Sequence, residues 1–457
     1  MVLCRVLGSW AAAIFAVCSA AIPASATSLR DAVATAIQNN PQILEAAANR
    51  RAVDEELNQA RGLYLPRLDL EANAGISYFN RPGSSINQDS RWGDQIGLVA
   101  RQTLFDGGFR NAEVEKQTAR VGGAAMRVRE RSELIALETL QAYIDVNRFN
   151  GILRLSDDNL TAIRDLLGLV QTRFRGGSST QGEVHLAQER VFSAEAVRTD
   201  VRRTLGSAEA RYINLVGKKP AGLQSVNAPR GVPANEGSAL SIARSRNPTL
   251  AAAERDVQAS RADLTQSEAA FRPTIALEGR GSAGHDLNGV PGPTQDASAK
   301  LVMSWNLFNG HIDQARRRER GERLAEVEAR RDRLRRDVDE AVRRAWSDLK
   351  RTEERIGTLD RQIDSGRLLI TSYRQEFEAG RRSMLDLLEA QNVFFNARVQ
   401  RLTAGHLATF ARYQLIAAGG GLLAHFNLGP GDDADADPRA WNRDRHDRPG
   451  LHPLLRR

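Results

Sequence analysis

A chain of 457 residues that is 41% hydrophobic, 26% charged and only 5% aromatic suits long helices better than several bulky-cored domains. Its two cysteines, Cys4 and Cys18, both lie near the N-terminus, which excludes a disulfide scaffold. A formal charge of +8 is modest for this length and does not point to a nucleic-acid partner.

Residues 1–26 read as a signal peptide, with Arg5 as the positive start, an apolar run over Val6–Ala20 and Ala24-Ser25-Ala26 as an A-x-A cleavage site. A lipoprotein signal ending at Cys18 is disfavoured, because Val17 is bulkier than the small residue such a site needs. No later stretch approaches the roughly 18 consecutive apolar residues of a membrane-spanning helix. An exported chain of this kind is periplasmic, secreted, or a β-barrel of the outer membrane.

The rest of the chain repeats itself. Asn40-Pro41 recurs as Asn247-Pro248, and Leu65-Pro66-Arg67-Leu68 is echoed by Arg272-Pro273-Thr274-Ile275. Leu104-Phe105-Asp106-Gly107 returns as Leu307-Phe308-Asn309-Gly310. Phe174, Gly177, Ala187 and Gln188 return as Phe377, Gly380, Ala390 and Gln391. The order is kept throughout, so two copies of one unit are predicted: residues 27–217 and 238–428, with a proline-broken linker over 218–237 and a disordered tail over 429–457.

Each copy opens with a helix (29–62; 239–270) that its Asn-Pro pair should break near the start. A β-hairpin follows, at about 67–105 and 274–308. In the first strand Leu68, Leu70, Ala72, Ala74, Ile76 and Tyr78 alternate with Arg67, Asp69, Glu71, Asn73 and Ser77, a sheet with one apolar and one polar face. Ile96, Leu98 and Ala100 continue the apolar face in the first copy. In the second copy Ala297, Ala299, Leu301, Met303, Trp305 and Leu307 alternate with Ser298, Lys300, Ser304 and Asn306. A long proline-free helix comes next (110–172; 311–378), then a glycine-marked turn and a shorter returning helix. In the last helix Leu388, Phe395, Leu402, Thr409 and Ile416 fall at heptad spacing, which predicts a coiled-coil seam.

Four strands cannot close a barrel, and open edges in lipid would leave backbone groups unpaired. Copies of the chain would have to share one barrel, two giving eight strands and three giving twelve. A soluble β-sandwich with coiled-coil insertions is the competing reading of the same alternation.

The strand exits Leu104-Phe105-Asp106-Gly107-Gly108 and Leu307-Phe308-Asn309-Gly310, with the turns Arg173-Phe174-Arg175-Gly176-Gly177 and Phe377 to Gln391, resemble the TolC-like outer-membrane efflux family over nearly all of 29–428. The second turn looks most like outer-membrane components of type I secretion systems. The resemblance implies an α+β membrane protein: a homotrimer whose twelve-strand barrel, four strands per chain, crosses the outer membrane and continues as a long α-helical barrel in the periplasm. It implies a passive exit duct docked to a periplasmic adaptor and an inner-membrane ABC transporter, with outer-membrane lipid around it and no cofactor. The alternative is the outer-membrane factor of a multidrug or metal efflux pump. Glu183, Asp386 and Glu389 match an acidic ring at the periplasmic constriction, Phe377 and Arg382 an entrance latch, and Phe174, Gly176, Gly177 and Gly380 the adaptor-docking turns.

No reaction is predicted, since the seven histidines form no HExxH or similar spacing. Gly279-Arg280-Gly281-Ser282-Ala283-Gly284 matches GxGxxG, but the residues after it, ending at Pro291, cannot start the helix a dinucleotide site requires. Across Arg316–Arg336 the arginines alternate with Glu319, Glu322, Glu326, Glu328 and Asp332, the pattern of a solvated, ion-paired helix face.

Overall fold

A computed structural model describes residues 27–79, 89–286 and 291–435. The expected signal peptide, residues 1–26, and the turn-rich tips of both hairpins lie outside the described residues. The same succession of elements occurs twice: α1 (Leu29–Asn39), α2 (Pro41–Gly62), β1 (Arg67–Phe79), β2 (Asp89–Phe105), α3 (Phe109–Arg175), α4 (Gln181–Val216); then α5 (Glu236–Arg246), α6 (Pro248–Glu268), β3 (Thr274–His285), β4 (Pro293–Ser304), α7 (Ile312–Glu378), α8 (Met384–Ala418). A short α9 (Leu422–His425) and a 3₁₀ turn at Asp432–Ala434 follow.

The Asn-Pro pairs do more than kink their helices. Asn40 ends α1 and caps α2, its side chain accepting from the Gln42 N–H at 3.0 Å, while Pro41 fills the first helical position, where a missing N–H costs nothing. Asn247 does the same between α5 and α6, accepting from Thr249 N–H and Leu250 N–H. The linker ends earlier than expected, because Asn235 caps α5 from Glu236 onward with a reciprocal bond to Ser238.

The four strands form one antiparallel sheet in the order β1-β2-β3-β4, so β1 and β4 are its edges. Leu70 sits opposite Leu98, and Leu277 opposite Leu301, which keeps the apolar residues on one face across all four strands. A register shift between Thr103 and Phe105 marks where β2 leaves the sheet. The second hairpin stops at Ser304 rather than near 308. Thr274 is its last partner, and the preceding Pro273 has no N–H with which to extend the ladder.

Helices α3 and α7 have 67 residues each, about 100 Å at 1.5 Å per residue. They differ in surroundings. α3 lies among α2, α4, α6 and α8 and carries more buried side chains than any other element, including Tyr143, Ile135 and Leu140. On α7 only Asp313, Val342, Ala345, Leu349, Leu359 and Phe377 are buried. The arginine-rich half of α7 makes ion pairs as expected, among them Arg317–Glu268, Arg320–Asp263 and Arg323–Glu326.

The linker crosses α3 and is pinned there by the Tyr143 hydroxyl, which lies 2.8 Å from the Thr27 carbonyl oxygen and 3.0 Å from that of Gln224. The front of the expected disordered tail is ordered. Arg51 pairs with Asp433 at 2.7 Å, and the Asp435 carbonyl accepts from Arg50 at 3.0 Å. These polar anchors hold a segment whose composition gave no apolar signal. Residues 436–457 lie outside the described residues.

Candidate functional site

The turns α3–α4 and α7–α8 come together at one end of the long helices and are built alike. Gly177 and Gly380 both have φ of 74°, the left-handed region that closes a helix end with little strain only for glycine. The N–H of Ser178 then bonds back to the Arg173 carbonyl at 2.8 Å, and the N–H of Arg381 to that of Glu376 at 2.8 Å. Thr180 and Ser383 cap the returning helices. Gly176, Gly177 and Gly380 are exposed, and Phe174 is partly so.

The three predicted acids make different contacts. Glu183 belongs to the capping box of α4: it accepts from the Thr180 N–H at 3.1 Å and from the Ser179 hydroxyl. The Ser179 bond, opposed by partial burial and aided by the Thr180 and Met384 N–H groups and Arg173, holds its carboxyl below the usual range. Asp386 and Glu389 lie together on α8. They line a groove of about 260 Å³ against α7, with Leu369, Tyr373, Val393 and Phe394. Asp386 accepts from the Ser383 hydroxyl at 2.8 Å and sits 3.8 Å from Arg382, whereas Glu389 is exposed with no partner among the described residues.

The two residues expected to form a latch also have different surroundings. Phe377 is 2% exposed and packs within its own chain against Val170, Ala187, Leu387 and Leu388. An aromatic ring at this spacing seals the junction of two helical hairpins and presents no surface. Arg382 instead pairs with Glu376 at 2.9 Å and lies over the Tyr373 ring, 4.2 Å from its centroid.

Sequence reasoning missed Arg173. Its guanidinium sits 4.9 Å from the Phe377 ring centroid and donates to the Glu378 carbonyl at 2.6 Å, so it ties the first turn to the second. A signal was available in the repeat: Arg173-Phe174-Arg175 stands where the second copy has Glu376-Phe377-Glu378, with the charges reversed. Opposite charges at matching positions are what adjacent hairpins need.

At the other end, the sheet separates its two faces cleanly. Leu68, Leu70, Ile76, Leu98, Leu301 and Met303 share one face and are at least half exposed, with Leu68 at 68% and Ile76 at 72%. Aromatic residues bound this band: Tyr78 and Trp92 toward the hairpin tips, and Tyr64, Phe271, Trp305 and Phe308 toward the helices. The opposite face carries ion pairs across the strands, Arg280 to Glu71 and Arg101 to Glu278, both at 3.5 Å. Among the described residues, no helix is long and apolar enough to cross a membrane and no cluster could hold a metal ion.

Residues 32–218 and 239–421 match the family described as outer membrane efflux protein. Relatives include the outer membrane efflux protein BepC of Brucella suis, 26% identical over 397 residues that cover 87% of this chain and 86% of BepC. Another is the alkaline protease secretion protein AprF of Pseudomonas aeruginosa, 25% identical over 417 residues, 86% of this chain and 85% of AprF. A solved membrane protein from Pseudomonas aeruginosa has the same fold, with a TM-score of 0.78 at 19% identity over 86% of this chain and 90% of that one. The chain therefore belongs to the outer membrane efflux protein family, with its strands in the outer membrane and its helices in the periplasm.

Proposed function

We propose that three copies of this chain form the passive outer-membrane exit duct of a type I protein secretion system. The observation that carries this reading is a four-stranded sheet with one exposed apolar face and both edges, β1 and β4, unpaired. In lipid, each unpaired backbone group costs several kcal/mol, so the edges need strands from neighbouring copies. Twelve strands enclose a channel, with the polar face carrying Glu71, Arg101, Glu278 and Arg280 turned inward. The sparse burial along α7 fits a helix whose remaining neighbours belong to another copy.

In this assembly Asp386 and Glu389, repeated around a threefold axis near the turns, focus a negative potential across the periplasmic passage. Arg173, seated on Phe377 and bonded to the Glu378 carbonyl, keeps the two hairpins of each chain closed against each other, while Arg382, held by Glu376 and Tyr373, stiffens the second turn. The exposed turns at Phe174, Gly176, Gly177 and Gly380 are where a periplasmic adaptor, itself joined to an inner-membrane ABC transporter, would dock. Protein cargo is favoured by the turn from Phe377 to Gln391 and by the similarity to a protease secretion protein. The similarity to an efflux protein supports the second reading, a duct for small molecules.

Deleting the gene separates the two. The secretion reading expects one or a few large proteins to disappear from the culture medium, with drug and metal tolerance unchanged. An intact set of secreted proteins together with new drug sensitivity would transfer the assignment to efflux.

A further inference from the structure

Just below the sheet, on its apolar side, is a recess of about 540 Å³ lined by Glu268, Phe271, Arg272, Gln314, Arg317 and Arg318. Its side of the sheet follows from the strand alternation. Trp305 continues the series Leu301 and Met303 beyond the end of β4, and its indole N–H donates to the Phe271 carbonyl at 3.2 Å. Trp305 is 52% exposed, and Leu307 and Phe308 next to it are 79% and 75% exposed. Phe271, bonded to Trp305, thus joins this exposed apolar segment to a recess lined by three arginines.

The charges do not cancel. Glu268, the one carboxylate in the recess, is taken by Arg317 at 3.0 Å. Arg272 gives one N–H to the Gly107 carbonyl at 2.9 Å, and Arg318 has no partner among the described residues. Three arginines against one glutamate leave a net positive recess at the level where the sheet leaves the hydrocarbon. Arginine is suited to this position, since its stem can lie along apolar surface while its planar fork grips an oxyanion with paired N–H groups.

We propose that this recess binds the phosphate of a glycerophospholipid in the periplasmic leaflet, with Arg318 and Arg317 as its principal donors and Trp305 and Phe271 against the acyl-chain side. The source is a lipid because Phe271, which lines the recess, is joined through its carbonyl to Trp305 at the lower end of the apolar series, and because a basic pocket at this level has a phosphate layer beside it. The assignment rests on the membrane placement of the sheet alone and is independent of what passes through the duct.

The test uses the full protein, extracted in detergent, stripped of lipid and then supplied with 1-palmitoyl-2-oleoyl phosphatidylglycerol, the matching phosphatidylethanolamine, or the matching diacylglycerol. Bound lipid is counted by native mass spectrometry. Both phospholipids should be retained and diacylglycerol should not. Arg318→Ala should weaken retention about fivefold and Arg317→Ala/Arg318→Ala about thirtyfold. Arg323→Ala, on the same helix and paired with Glu326, should leave it unchanged. Equal retention of diacylglycerol, or unaltered phospholipid binding in Arg318→Ala, overturns the proposal. So does a variant that loses its oligomeric mass while keeping its lipid, an outcome that would assign the recess to a contact between copies.

Discussion

The carboxyl of Glu133 lies deep in the helical part of the chain and accepts from the Leu422 N–H at 3.0 Å and the Leu423 N–H at 3.5 Å, holding α9 against α3. Burial pushes its pKa up to about 7, against the pull of those two N–H groups and of Arg129. The sign follows from proton binding. Between its ordinary value near 4.5 and about 7 the folded chain holds a proton that the unfolded chain has released, so this group's contribution to stability declines as pH rises through that window. The decline is on the order of 3 kcal/mol at 1.36 kcal/mol per unit. Glu133→Gln should therefore gain relative to wild type between pH 5 and pH 8, read as the difference in apparent unfolding temperature. A difference that is the same at both pH values would remove Glu133 as the titrating group.

At the scale of elements, α8 shows how helices in this chain pack. Ala390, Ala397, Ala404 and Ala411 recur every seven residues and are all buried, with Ala408 and Leu415 beside them. The seam expected at Leu388, Phe395, Leu402, Thr409 and Ile416 is buried at its first two positions and only half-buried at the last three. Large residues were the visible signal, but small ones let α8 lie close to α7 and α3. A Cβ on Gly151 of α3 would come within 2.8 Å of Leu402, a measure of that closeness. Ala404→Leu should then cost about 1–3 kcal/mol through overpacking, measured as a lower apparent unfolding temperature. An unchanged temperature would show that the seam has room to spare. A buried bond between Gln391 and Asn159, 2.9 Å long, sets the register of the same helices.

For the whole molecule, the decisive feature is what the single chain leaves unfinished. Two sheet edges, an exposed apolar band and a 67-residue helix with few buried positions cannot all be stable in isolation. Detergent-extracted protein should therefore have three times the 50.2 kDa of this chain, less the expected signal peptide and plus bound detergent, by light scattering. A lone protomer would end the proposal of a shared barrel.

The sequence by itself determined the order of elements, the two faces of the strands and the places where helices stop. These are local matters: a period of two, an Asn-Pro cap and a glycine with positive φ act over a few residues, wherever they occur. The same local patterns pointed to Asp386 and Glu389 as neighbours, since residues three apart share a helix face. Only the tertiary structure decided that Phe377 is buried beneath Arg173 and that residues 430–435 are fastened by Arg50, Arg51 and Ser132. Those outcomes depend on which hairpin lies against which, through contacts between residues hundreds of positions apart. No short-range pattern in the chain encodes such contacts.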